Sequence, residues 1–195
     1  MHRRMQKGFS VVELAVTVGL LGFLLALGVP ALTDMIANSR VRTAAEGVLN
    51  GMQVARAEAI RRNTPVTLQI GANGISWDVV LSGDLTNTAL QTRAADVGTN
   101  VSGAASVTAP TLAAAPVAVT SPILTFSGWG TMSMSIGGIM TTPAAFGIRY
   151  TSTVPGTRAM CAAVVANTPR LCDPQRTVAT DPQACFSGIV AIPGC

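Results

Sequence analysis

The chain has 195 residues, 49% apolar and 11% charged, and thirteen basic against nine acidic side chains give a formal charge of +4. Arg3, Arg4 and Lys7 fall in the first eight residues, so the remainder keeps ten arginines against nine acids, a net +1 that excludes a globally basic nucleic-acid binder. His2 and Lys7 are the only histidine and lysine; beyond them there is no Ser-His or Cys-His pair, no imidazole metal site, no Schiff-base amine and no phosphate-loop lysine, which speaks against an enzyme and against a bound cofactor or metal.

Residues 1–8 form a short basic leader, with His2, Arg3, Arg4 and Lys7 ahead of Gly8. From Phe9 to Val29 the one ionisable side chain is Glu13. A carboxylate inside an apolar span costs roughly 2.5–3.5 kcal/mol to insert, so it should have a nameable partner. If the chain is cut after Gly8, the new Phe9 amine lies four residues before Glu13 and supplies the counter-charge, in the same chain or a neighbouring one. Phe9 to Pro30 is 22 residues, about 33 Å of helix, enough to cross a bilayer. Gly19, Gly22 and Gly28 within it allow close helix packing. Pro30 is expected to kink the helix and not to end it, because helical patterning resumes behind it. A plain signal anchor would share the basic flank and apolar run but would avoid Glu13. A secretory signal cut near Ala26-Leu27-Gly28 would have an unusually long apolar core.

This N-terminus resembles that of the type IV prepilins. Their basic leader ends in Gly before Phe, Glu stands at the fifth mature position and Pro often at the 22nd; Gly8, Phe9, Glu13 and Pro30 fill those places here. The resemblance implies cleavage by prepilin peptidase between Gly8 and Phe9, N-methylation of Phe9, and assembly into a helical filament in which Glu13 sets register against a neighbour's Phe9 amine. The basic leader is expected to stay cytoplasmic. Residues 9–30 then anchor the chain in the inner membrane, and the rest faces an oxidising periplasm before it enters a pilus or pseudopilus.

Residues 31–63 read as the amphipathic half of the same helix. Val41, Ala45, Val48, Met52, Ala55 and Ala59 recur in steps of four and three on one face, widened by Leu49 and Ile60. Arg42 with Glu46, and Glu58 with Arg62, are i,i+4 pairs on the wet side. Asn63-Thr64-Pro65 is a stop signal, Asn suiting a left-handed cap and Pro barring continuation. The expected arrangement is a stem laid against a sheet.

Then the period changes to two. Val66–Ile70 and Ile75–Leu81 read as strands joined by the turn Gly71-Ala72-Asn73-Gly74. The run Ala55-Arg56-Ala57-Glu58-Ala59-Ile60-Arg61-Arg62-Asn63 followed by Pro65-Val66-Thr67-Leu68, with Trp77 in the second strand, resembles the GspH/FimT family of minor pilins and pseudopilins. Ile123-Leu124-Thr125-Phe126 with Gly128 and Gly130 resembles a strand and turn of that family. Val97 to Ile148 is 52 residues without a charged side chain, and is read as a long connection plus buried strands, not as an exposed contact surface. Strands are expected at Ile123–Ser127, Thr131–Ile136, Phe146–Thr151 and Arg158–Val165. The fold class is therefore α+β and pilin-like: a long N-terminal helix, half transmembrane and half amphipathic, packed on an antiparallel β-sheet head spanning residues 64–195.

Cys161, Cys172, Cys185 and Cys195 all lie in the last quarter, with no C-x-x-C spacing. Structural disulfides are expected and zinc is not; four cysteines allow three connectivities. Cys172 and Cys185 flank a Pro- and Asp-rich loop suited to a small ring. In FimT-like chains an Arg-rich segment before such a Cys is linked to DNA binding; here Arg170 alone matches it, and Arg158 and Arg176 are the candidates to join it, with DNA as the partner. The reading that results is a non-enzymatic minor pilin of a type IV pilus, whose partners are prepilin peptidase, other pilins or pseudopilins, and the inner membrane. The alternatives are the H pseudopilin of a type II secretion system and a DNA-binding subunit at a pilus tip.

Overall fold

The computed structural model describes residues 8–84, 86, 88–108, 117–136, 139–143, 145–176, 178, 181–187, 190–192 and 194–195. The basic leader residues His2, Arg3, Arg4 and Lys7 lie outside the described residues. The chain divides into a first unit ending at Ile36 and a second from Ala37 to Cys195. Helix α1, Val11–Arg62, begins in the first and ends in the second, and its helical assignment runs through Pro30 without a break.

In the second unit α1 buries Ala37, Val41, Ala44, Ala45, Val48, Met52, Ala55 and Ala59, a face made narrow by alanine so that strands approach closely. Leu49 is only half-buried and Ile60 is exposed, so the buried face is not widened where the sequence pattern suggests. The helix stops at Asn63, whose φ of 49° is left-handed. The amides of Asn63 and Thr64 donate to the carbonyls of Ile60 and Ala59, both at 3.3 Å, which satisfies carbonyls that the last turn would otherwise orphan.

Among the described residues the antiparallel head consists of two large sheets and a short pair of strands. The first has the order β3 (Ala89–Arg93), β2 (Trp77–Leu81), β1 (Val66–Ile70), β6 (Ile123–Phe126), β7 (Met132–Ile136) and β8 (Ile139–Thr141). The second has the order β11 (Thr168–Cys172), β10 (Met160–Val165), β9 (Ala145–Ser152), β4 (Val101–Thr108) and β5 (Val117–Val119). A short pair, β12 (Phe186–Ser187) and β13 (Val190–Ala191), lies in the tail. One core joins α1 to both sheets through Met52, Leu68, Trp77, Phe126, Met134, Phe146, Ile148 and Tyr150. The sheets are also stitched by polar contacts. The Tyr150 hydroxyl donates to the Gly74 carbonyl at 2.6 Å, and the Gly103 amide donates to the Asn73 carbonyl at 3.0 Å. Gly74 has φ +71° and lies against Gly103, so a side chain at either position would force the β1–β2 turn away from the second sheet.

Candidate functional site

The first unit is the apolar end of α1. The Ser10 carbonyl accepts from the Leu14 amide at 3.1 Å to open the helix. Phe9 is 81% exposed, and Val11, Leu14, Val18, Leu21, Leu25 and Val29 are more than half exposed, so no stripe of this half-helix is covered within the chain. A helix apolar on every side requires a lipid or protein environment. Among the described residues α1 is the one helix long and apolar enough to cross a membrane. Glu13 lies in the first turn, where the helix dipole favours a carboxylate, and has no partner among the described residues. Gly8 and Phe9 precede the helix in irregular, exposed chain.

On the head, the four cysteines form two bonds, Cys161–Cys195 and Cys172–Cys185, the second closing a sequence separation of 13 residues. Cys161 and Cys172 are register partners on β10 and β11, so the bonds lie side by side. The sulfurs of Cys161, Cys172 and Cys185 come within 4.8 Å of one another, but each is consumed in a disulfide and offers no thiolate to a metal. The bonds hold the tail over the outer face of the second sheet, where Ala145, Cys161, Ala163, Val165, Cys172, Cys185 and Ile192 form a separate small core.

The three candidate DNA-contacting arginines do not share one role. Arg170, opposite Ala163 in the β10–β11 register, is half-buried on this covered face, and its Nη2 donates to the Ala184 carbonyl at 2.9 Å. Arg176 pairs with Asp181 at 2.7 Å and Asp173 at 3.8 Å. The Asp181 carboxyl is held below its usual range by the Gln183 amide and then by Arg176. Arg158 lines a cleft of about 440 Å³ with Asn38, Arg42, Asp173 and Arg176, and its amide donates to Asn38 Oδ1 at 2.8 Å. The structure thus brings Arg158 and Arg176 together and turns Arg170 to the tail.

Features not singled out by sequence reasoning lie at the other end of the head. Trp129, at the tip of the β6–β7 turn, is 89% exposed. Arg56 of α1 has an Nε closed off from solvent with no hydrogen-bond partner among the described residues. A signal for the first was present: a tryptophan set between Gly128 and Gly130 belongs to a turn and not to a core.

Fold and site together define a class, a β-rich, disulfide-clamped head carried on an N-terminal helix whose leading half is apolar on every side. The family model described as type II transport protein GspH matches residues 44–169, more than half of the chain, and the chain belongs to that family, among the type IV minor pilins and pseudopilins. The chain is similar to the type IV major fimbrial protein FimA of Dichelobacter nodosus, 41% identical over 61 residues, which are 30% of this chain and 36% of that protein. A fimbrial protein of the same organism matches at the same identity and coverage. The chain thus spans about a third of the length of the curated relatives it matches. Two crystal structures of the type IV minor pilin FimU of Pseudomonas aeruginosa align with TM-scores of 0.46 and 0.45 at 15% and 16% identity. They cover 76% and 74% of this chain and 96% and 99% of theirs.

Proposed function

We propose that this protein is a minor pilin subunit of a type IV pilus and acts by assembly, not by turnover. Prepilin peptidase removes residues 1–8 and the Phe9 amine is methylated. Residues 9–30 hold the chain in the inner membrane, with residues 31–63 as the stem and residues 64–195 as a periplasmic head. On extraction the apolar half-helix exchanges lipid for the equivalent helices of neighbouring pilins. The observation that carries this reading is the pairing of an uncovered apolar half-helix with a Glu13 in its first turn that has no partner among the described residues. A carboxylate there is costly in lipid and becomes useful once a neighbour's Phe9 amine lies beside it. A second reading, the H pseudopilin of a type II secretion system, is supported by the description of the family whose model the chain matches.

The test has two arms. N-terminal peptide mass analysis of membrane fractions is expected to find methylated Phe9, and Glu13→Ala is expected to reach the membrane at wild-type levels but not sheared filaments. Normal incorporation of Glu13→Ala, or an uncut leader, would overturn the pilin reading. Deletion of the gene separates the two systems: loss of surface pili with secretion intact supports the minor pilin, and the reverse supports the pseudopilin.

A further inference from the structure

The β6–β7 turn is anchored on the last turns of α1 and presents Trp129 outward. A Cβ on Gly128 would lie 2.6 Å from Asn63 Oδ1, and one on Gly130 would lie 3.1 Å from both Arg56 Nε and Ile60 Cδ1. The turn is closed by its own hydrogen bonds. The Ser127 amide donates to the Thr131 carbonyl at 2.9 Å, the Gly130 amide to the Ser127 carbonyl at 2.8 Å, and the two hydroxyls of Ser127 and Thr131 lie 2.6 Å apart. Beside it runs a groove of about 350 Å³ lined by Gln53, Arg56, Ala57, Ile60, Thr168 and Pro169. Trp129 is 89% exposed and Ile60, against which Gly130 lies, is 51% exposed, and apolar surface gathered in one place is the informative kind of exposure. Trp and Arg are also the side chains that most often anchor interfaces.

The charge of this surface says what fits it. Arg56, Arg61 and Arg62 stand against Glu58 alone in residues 53–63, a local net of +2, and the whole stretch 97–148 that contains Trp129 adds no charge. Glu58 is already shared by Arg61 and Arg62, at 2.6 Å and 2.7 Å, which leaves Arg56 without an ion pair among the described residues. Its Nε is closed off from solvent, and the other guanidinium nitrogens are left to meet an incoming carboxylate.

We infer that the Trp129 turn and the Arg56 groove form one docking surface for an acidic segment of another filament subunit, whose carboxylate pairs with Arg56 while its apolar neighbours pack on Trp129 and Ile60. This rests on the filament reading above and names a contact of the head that the reading leaves open.

The test uses the full chain in membranes of cells that build the filament, with a photoreactive amino acid in place of Trp129. The expected product is a crosslink to a carboxylate-bearing segment of another pilin-like subunit, identified by peptide sequencing. Its yield is expected to fall about tenfold in Arg56→Glu, the effect of losing one ion pair. It should fall also in Gln53→Glu, which places a like charge on the exposed rim without touching the core. Reversing the crosslinked carboxylate to arginine should restore the yield with Arg56→Glu. A crosslink to nuclease-sensitive material, or an undiminished yield in both variants, overturns the proposal. So does no crosslink while the chain is recovered in sheared filaments, and in that case the pilin reading stands. Absence of the chain from intact filaments sinks both.

Discussion

The indole Nε1 of Trp77 donates to the backbone carbonyl of Gly47 at 3.0 Å, so the largest side chain of the core hangs from the helix it packs against. The two glycines one turn apart, Gly47 and Gly51, make room for this in different ways. At Gly51 an added Cβ would lie 2.9 Å from two atoms of the Trp77 ring and 3.3 Å from Leu68. At Gly47 it would meet the far end of Arg93, whose guanidinium lies over the helix and bonds the Thr43 carbonyl and Asp96.

The two positions should therefore answer the same substitution differently. Alanine in a helix gains about 1 kcal/mol over glycine, and overpacking a core costs roughly 1–3 kcal/mol. Gly51→Ala is expected to be destabilising, because an indole ring in a filled core cannot step aside. Gly47→Ala is expected to cost less, because the far end of the flexible Arg93 side chain can shift where a ring in the core cannot. Urea denaturation of the fragment Ala37–Cys195, which keeps the stem with the sheets, checks the pair, and equal loss at both positions would contradict the packing described.

The adjacent disulfides predict a particular failure. In Cys195→Ser the freed Cys161 thiol is left within 4.8 Å of the Cys172–Cys185 bond, close enough for thiol–disulfide exchange. Peptide mapping without reduction should then find Cys161 bonded to Cys172 or Cys185 in part of the sample. Cys172→Ser opens the small ring, whose closure contributes roughly 3 kcal/mol in the chain-entropy model, and should lower the head's midpoint in urea. A single native pairing persisting in Cys195→Ser would refute the side-by-side geometry.

At the end of the stem, hydrogen bonds from Arg61 and then Arg62 hold the Glu58 carboxyl at about 2, against an ordinary 4.5. A depressed carboxylate stabilises the fold above its ordinary pKa and stops doing so as pH falls through its folded value. Protection of the helix end should thus be constant from neutral pH down to about pH 4.5 and decline between about 4.5 and 2. Glu58→Gln should flatten that decline. The pair is exposed, so added salt should shrink the effect. Side-chain NMR titration of Glu58 is the direct measurement, and an unshifted midpoint would remove the contact.

The arginines of the tail give a prediction about DNA. Arg170 bonds the chain over the sheet, and Arg176 is neutralised by two aspartates. Arg170→Ala should therefore cost roughly 1.5–3 kcal/mol of stability, the worth of a charge-assisted hydrogen bond, and leave duplex DNA affinity at low salt unchanged. A loss of affinity with stability intact would return Arg170 to a phosphate-binding role.

Much of this was legible in the residues, for identifiable reasons. The stem reads clearly because alanines and valines at steps of three and four can only be one face of a helix, and Asn63-Thr64-Pro65 ends it where the left-handed cap is found. Strand β1 falls on the alternating run Val66–Ile70 because both its neighbours are strands of the same sheet. Strands β4 and β5 were hidden in the uncharged stretch, since small Ala, Ser and Gly side chains carry no alternation of polarity. Strand β11 was masked by Pro169, which a sheet tolerates there because β11 is an edge. The exposed tip at Trp129, and an Arg56 Nε with no hydrogen-bond partner among the described residues, depend on how two distant segments meet, which no local pattern encodes.

Strand β10 lies one place in from the edge of its sheet, yet it has no wet side. Ala162 and Val164 join the main core, and Cys161, Ala163 and Val165 lie under the tail. The tail therefore turns a two-faced strand into an interior one, and the rule that alternate positions may vary freely is suspended for five residues in a row. Sequence drift in this head should collect in β3, which is exposed for most of its length, and stay out of a strand that looks peripheral on a topology diagram. A designer transplanting new surfaces onto the scaffold would have to treat Cys161–Val165 as closed ground.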